Sequence, residues 1–150
     1  MEGGCTCRAV RFRLDDRPII VHACHCRWCQ RETGTAFALN AVLETGKVTI
    51  LAGEPTETRI PSESGKGQRM VRCPTCGVTV WSHYPGGGDR LRFVRVGTLD
   101  DPDAFPPDAH IYVASKQPWL DLPEGAAAFP AFYDPKSFWS PEQHRRFKEA

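Results

Sequence analysis

The stretch Gln68-Arg69-Met70-Val71-Arg72-Cys73-Pro74-Thr75-Cys76-Gly77-Val78-Thr79-Val80-Trp81-Ser82-His83-Tyr84 carries two short strand-like runs, 68–72 and 78–84. A C-x-x-C-G turn separates them. Such a turn makes a tight knuckle, because Gly77 is free to take the left-handed conformation that the reversal needs. Two sulfurs then face one point in space. Working outward, the same vocabulary recurs: Val10-Arg11-Phe12-Arg13-Leu14 alternates apolar and polar with period two, as a half-buried strand does. Further strands are expected at 19–23, 37–43, 47–51, 56–60 and 91–99. Turn chemistry punctuates them, most clearly at Glu44-Thr45-Gly46, Ala52-Gly53-Glu54-Pro55, Ser64-Gly65-Lys66-Gly67 and Pro85-Gly86-Gly87-Gly88-Asp89. Eight or nine short strands with brief connections imply a mainly β, antiparallel domain rather than a βαβ sheet. The Gly86–Gly88 run lacks a following Lys-Ser/Thr and a helical pattern, so it reads as a hairpin loop and not as a phosphate loop.

The last 50 residues differ, holding eight of the 13 prolines. Continuous sheet or long helix is disfavoured there. One element is legible: Ser140-Pro141-Glu142-Gln143 supplies an N-cap, a proline at the first helical position and acid in the first turn. A short terminal helix through Phe147 follows. Aromatic residues at Phe129, Phe132, Tyr133, Phe138 and Trp139 either pack this irregular tail onto the sheet or form a lid over a ligand site.

At 150 residues, with 41% hydrophobic and 25% charged residues, the chain has the size and composition of one globular domain, 1–150. Net charge is +1, which gives no general drive towards nucleic acid or anionic membrane. Charge is uneven: residues 1–100 carry +4 and 101–150 carry −3, and 14 of the 19 basic residues are arginine. Arginine forks suit carboxylates, so a small anionic molecule fits better than a polynucleotide. No apolar run is long enough to cross a bilayer, and the start has no signal-peptide pattern, so a cytoplasmic protein is expected. Thiols stay reduced in that compartment, and clustered cysteines there are metal ligands more often than disulfides.

All seven cysteines lie within the first 76 residues. They fall into Cys5-Thr6-Cys7, Cys24-His25-Cys26-Arg27-Trp28-Cys29 and Cys73-Pro74-Thr75-Cys76. A C-x-C pair in extended chain points both thiols to one face, so it can bite one metal. Joined to the knuckle at 73–76, one such unit gives a closed four-sulfur zinc site. The middle group offers three cysteines on one short segment, which matches a catalytic zinc with an open position. The alternative is a closed site whose fourth ligand is His22, His25, His83 or His110. A thioredoxin-like redox pair needs a βαβ context that this chain lacks. Spacing alone leaves other pairings among the seven thiols open.

Gly4-Cys5-Thr6-Cys7, Cys24-His25-Cys26-Arg27-Trp28-Cys29 with Gly34 and Phe37, Cys73-Pro74-Thr75-Cys76-Gly77, and His110-Ile111-Tyr112-Val113 with Lys116-Gln117-Pro118-Trp119 together resemble the glutathione-dependent formaldehyde-activating enzyme family, which also contains centromere protein V. The resemblance runs from about residue 4 to 123, with 124–150 as a tail packed on it. It implies a zinc-bearing β-tent fold with two zincs per chain. Cys5, Cys7, Cys73 and Cys76 match the family's structural zinc ligands, and Cys24, Cys26 and Cys29 match its catalytic zinc. It implies a carbon–sulfur lyase or synthase acting on S-hydroxymethylglutathione, with a small thiol such as glutathione as partner. The competing readings are a non-catalytic zinc-stabilised interaction module and a zinc or thiol-stress sensor.

Three departures from the family pattern stand out. Arg8 follows the first C-x-C where the family commonly has Gly, Arg27 replaces Ser, and Gln30-Arg31 replaces Arg-Lys. A zinc held by three thiolates has a formal charge of −1, and a fourth thiolate would make −2, so cations are needed nearby. Arg27 and Arg31 are the expected suppliers, or the expected grip on a peptide carboxylate. His25, between two ligands, points to the opposite face in extended chain and is read as a packing or hydrogen-bonding residue.

A structural zinc contributes roughly 10–16 kcal/mol of apparent folding free energy in finger peptides. Cys73→Ser is therefore expected to make the domain insoluble or unfolded, as read by thermal melts alongside elemental zinc analysis. A soluble, cooperatively folding Cys73→Ser protein with its full metal complement would refute the four-sulfur assignment.

Overall fold

The computed structural model describes all 150 residues, Met1–Ala150. Ten strands run in order: β1 (Glu2–Gly4), β2 (Arg11–Leu14), β3 (Ile20–Cys24), β4 (Ala38–Glu44), β5 (Val48–Ala52), β6 (Thr56–Ile60), β7 (Gln68–Arg72), β8 (Thr79–His83), β9 (Leu91–Arg95) and β10 (Ala109–Ile111). Three helices interrupt or follow them: α1 (Arg27–Thr33), α2 (Pro135–Phe138) and α3 (Pro141–Glu149). The strands form a three-stranded sheet, β1-β2-β5, and a seven-stranded sheet, β10-β3-β4-β9-β8-β7-β6. This is the mainly β arrangement that the short runs and turns predict.

Strand pairing is antiparallel except at one edge, where β10 runs parallel to β3 with His110 opposite Ala23. Two strands escape the sequence reading. β1 is Glu-Gly-Gly, with no alternation to detect, and β10 is three residues inside the proline-rich third. The close approach that admits β1 is itself glycine-dependent: a Cβ on Gly3 would lie 2.6 Å from the Thr98 carbonyl oxygen and 2.8 Å from the Phe12 ring.

Alternation along β3, β4 and β9 divides their apolar side chains between two cores. Val21 on β3, Ala41 and Leu43 on β4 and Val94 on β9 join Phe12, Val80 and Trp81 in one core. Ile20, Val42 and Leu91, one residue out of step, join a second core with Ile111 and Tyr133. The irregular tail covers this second core through Phe129, Phe138, Trp139 and Phe147. Ser140 and Gln143 form a complete capping box at the start of α3, as their spacing predicts. Arg146 Nη2 then pairs with Glu44 Oε2 at 2.6 Å, fastening α3 to the end of β4.

Arg8 sits in the turn after Cys7 with φ of +63°, in the left-handed region. Its side chain is exposed and makes no hydrogen bond there, so the family's glycine would relieve strain without losing a contact. Left-handed backbone costs a non-glycine residue roughly 1–3 kcal/mol, against about 0.4–1 kcal/mol for the extra freedom glycine gives the unfolded chain. Arg8→Gly is expected to stabilise the protein by roughly 0.5–1 kcal/mol, seen as a higher urea midpoint at unchanged slope. A lower midpoint would mean that the arginine stabilises the turn by more than its backbone costs.

Candidate functional site

Two groups of sulfurs converge, each with all ligand atoms within 4.8 Å of one another: Cys5, Cys7, Cys73 and Cys76, and separately Cys24, Cys26 and Cys29. All seven cysteines are free thiols.

The four-sulfur group is built by two matching turns. Cys5 N–H donates to the Val10 carbonyl at 3.1 Å, and Cys73 N–H donates to the Val78 carbonyl at 3.0 Å. Gly77 takes φ of +74°, as the knuckle requires. The Sγ of Cys7 lies 3.5 Å from that of Cys5 and 3.7 Å from that of Cys73. A tetrahedral zinc with Zn–S bonds of about 2.3 Å puts neighbouring sulfurs about 3.8 Å apart, so these residues fit the ion. Backbone N–H groups of Cys7 and Val78 hold the Cys76 thiol down to about 6, which favours the thiolate that a metal needs.

The three-sulfur group forms where β3 meets α1. Cys24 ends the strand, and Ile20, His22 and Cys24 share one face of it by period two. Cys26 is the N-cap of α1, its Sγ accepting from Cys29 N–H at 3.3 Å. Gly34 closes the helix with φ of +68° and donates back to the Gln30 carbonyl. Hydrogen bonds from Cys24 and Cys29 pull the Cys26 thiol down to about 3, aided by the N–H groups of Cys29 and Trp28. The same hydrogen bonds, with burial, push the Cys24 thiol up. Buried sulfurs that compete for one negative charge at a helix N-terminus match a cation that would let all three ionise.

No histidine nitrogen joins this group. His25 is fully buried on the far face, its Nε2 3.0 Å from His110 Nδ1, which is the packing role read from sequence. His83 Nδ1 contacts the Leu91 carbonyl oxygen at 2.8 Å. His22 Nε2 lies 2.6 Å from Tyr133 Oη, which also accepts from Trp139 Nε1 at 2.7 Å. Burial lowers the His22 pKa to about 4, which keeps the ring neutral beside the Tyr133 hydroxyl.

The three sulfurs open on a cavity of about 350 Å³. Val42, Leu91, Phe93 and Ile111 line it from the sheet, and Phe132, Trp139 and Phe147 from the tail. The aromatic tail thus both packs on the sheet and roofs the cavity. Tyr84 Oη lies 3.9 Å from Cys29 Sγ. Tyr112, the second non-glycine residue with positive φ (+57°), also lines the space.

Arg27 and Arg31 are not brought to this cavity. Each is two residues from Cys29, hence about 160° round the helix from it. Both side chains are exposed and line a separate shallow groove with Gln30, Thr35 and Trp119. Arg27 Nη1 donates to Gln30 Oε1 at 2.8 Å, while Gln30 Nε2 donates to the carbonyls of His25 and Ser115 at 2.7 and 2.9 Å. The departures at 27 and 30 therefore serve the docking of α1, while Arg31 is exposed and makes no hydrogen bond. Arg27 and Arg31 are close to the ligands in sequence, but the helix turns their side chains away from the three cysteines.

The buried cation that acts on the sulfur group is Arg95, which lines a separate groove with Glu32 and Arg72 and whose charge favours the Cys29 thiolate. It shares strand parity with Leu91 and Phe93, and its side chain is 8% exposed. Arg95 Nη1 donates to Asn40 Oδ1, and Arg95 Nη2 pairs with Glu32 Oε2 at 2.8 Å. Glu32 Oε1 in turn pairs with Arg72 Nη2 at 2.8 Å. A sequence signal existed for Asn40, a lone amide within Leu39–Leu43, but none named its partner.

A family model described as glutathione-dependent formaldehyde-activating enzyme matches residues 1–115. The chain belongs to that family. A Halomonas elongata protein whose name carries the same description is 24% identical over 127 residues, covering 81% of this chain and 80% of that one. Among solved structures, a Rhodobacter sphaeroides protein superposes with a TM-score of 0.51 at 17% identity, covering 86% of this chain and 99% of that one. That likeness concerns the fold.

The two sulfur groups differ in what they hold together, and substitution separates them. Cys26→Ser is expected to stay folded and to carry one metal ion fewer by elemental analysis, because a three-ligand site at a cavity floor joins only β3 to α1. Unchanged metal content, or unfolding of the kind expected for Cys73→Ser, would show that the groups are not divided in this way.

Proposed function

We propose that the protein is a zinc-dependent carbon–sulfur lyase or synthase that makes and breaks a thiol–aldehyde adduct, with S-hydroxymethylglutathione as the adduct that the family's name suggests. The carrying observation is that Cys24, Cys26 and Cys29 converge on a cavity with no fourth protein ligand atom among them. Cys5, Cys7, Cys73 and Cys76 are the ligands of the structural zinc, making two zincs per chain. Free, clustered thiols suit the cytoplasm.

In the forward direction the thiol sulfur attacks the aldehyde carbon, a carbon–sulfur bond forms, and the thiol's proton ends on the former carbonyl oxygen. The reverse breaks that bond and returns the proton to sulfur. Zinc held by the three thiolates would supply a Lewis acid that keeps an incoming thiol ionised at neutral pH. The chain's own residues do the rest. Arg95, fixed by Asn40 and Glu32, puts positive charge on the sheet side of the cluster. The Tyr84 hydroxyl, beside Cys29, is placed to donate to a sulfur or to the developing alkoxide. The aromatic roof excludes water, so these dipoles act in a low-dielectric space.

Uncatalysed addition of thiols to formaldehyde is facile, so the test is exchange at equilibrium. Catalytic amounts of zinc-loaded protein are expected to raise the exchange rate between free formaldehyde and its glutathione adduct, read by magnetisation-transfer NMR. Cys26→Ser should return it to the protein-free rate with the fold intact. Wild-type protein with both sites verified as loaded, yet matching the protein-free control, would sink the formaldehyde reaction.

A further inference from the structure

The cavity is built for more than the smallest aldehyde. At about 350 Å³ it falls in the range of roughly 300–1,000 Å³ that takes drug-sized ligands, whereas formaldehyde has two heavy atoms. Its charged lining residues are Glu63 and Lys66, both exposed and both on the loop between β6 and β7. Gln68, where β7 begins, is 3% exposed and lines the same space, and its Oε1 has no hydrogen-bond partner. An orphaned buried acceptor asks for a donor from a ligand. One segment therefore offers a carboxylate, an ammonium and an amide oxygen, a set complementary to the amino-acid zwitterion of a thiol peptide. Beyond His22 and Asn40, the sheet and the tail offer the rest of the wall mainly hydrocarbon and aromatic faces. An adduct that ended in a hydroxymethyl group would leave that wall bare.

We infer that the substrate is the adduct of a zwitterionic thiol with an apolar, multi-carbon aldehyde, whose carbon chain or ring lies against Phe93, Leu91 and the tail aromatics. This rests on the thiol–aldehyde reading above and names its substrate class. Each methylene moved from water into such a wall raises affinity roughly fourfold.

Isothermal titration of the zinc-loaded protein with glutathione, S-methylglutathione, S-hexylglutathione and hexan-1-ol tests it without relying on turnover. S-hexylglutathione is expected to bind at least ~30-fold tighter than S-methylglutathione, allowing for incomplete burial of its five extra methylenes. Phe132→Ala removes a ring that is 47% exposed at the cavity and so spares the core; it should cut the hexyl advantage at least ~3-fold. Equal affinities for the methyl and hexyl derivatives would overturn the inference and leave the thiol reading standing. Failure of every glutathione derivative to bind, whether or not hexan-1-ol binds, would overturn the thiol reading and this inference with it.

Discussion

Side chains two apart on a strand share a face, and in the seven-stranded sheet both faces are in use. Val21 looks into one core while Ile20 and Cys24 look into the other, with His22 on their side against Tyr133. That parity decides which cysteine can meet which. Cys5 and Cys73 lie in the core that also holds Phe12 and Trp81, whereas Cys24, Cys26 and Cys29 lie with Ile111 and Tyr133. Seven thiols with many conceivable pairings are thereby sorted into four and three. A one-residue slip of β3 against β4 would turn Cys24 away from Cys26 and Cys29 and leave no cluster.

The four-sulfur group also acts as the clasp between the two sheets. Its first pair sits in the turn joining β1 to β2 and its second in the turn joining β7 to β8, so each sheet contributes one knuckle. The sheets also meet through packing and through Arg92 Nη1 on β9, which donates to the Val48 carbonyl on β5 at 2.7 Å. The chain tolerates a left-handed Arg8 at this clasp because the turn's geometry is dictated by the sulfurs. Cys5 must present both its carbonyl, to Arg8 N–H at 3.0 Å, and its sulfur, to Val10 N–H at 3.3 Å.

Much of this was legible beforehand, for reasons that also explain what was not. Alternation exposed β2, turn residues bounded β4 to β9, and the capping box announced α3. Thiol spacing grouped all seven cysteines. What spacing could not say was the conformation of residues 27–33. Their seven-residue helix is too short to show a periodic stripe, and it exists because Cys26 caps it, Gly34 ends it and Gln30 ties it to the 113–115 turn. Sequence neighbourhood alone puts Arg27 and Arg31 beside the ligands; one helical turn carries them to the outer surface. Arg95 was illegible for a different reason. Its partners Asn40 and Glu32 are 55 and 63 residues away, so only the folded sheet brings the charges together.

Charge balance at the three-sulfur group then follows from burial rather than from the surface. A divalent cation with three thiolates leaves −1 in a site whose cysteines are 2–6% exposed. Exposed arginines on the outer face of α1 would be screened by water and lie behind the helix. Arg95 is inside, but Glu32 claims part of its charge, and Arg72 exists on the other side of Glu32 to restore it. The pair of arginines about one carboxylate nets +1, the amount that would offset three thiolates holding a divalent cation. Removing Glu32 alone would leave two guanidiniums facing each other across a buried gap, and removing Arg95 would leave Glu32 adding to the negative charge near the sulfurs. The ion triad therefore holds one net positive charge at a fixed place within reach of Cys29, with Asn40 setting the angle of Arg95. An aromatic roof above the cavity and this cation near Cys29 leave the cavity's polar loop, 62–68, as the part of the wall that can read a charged ligand.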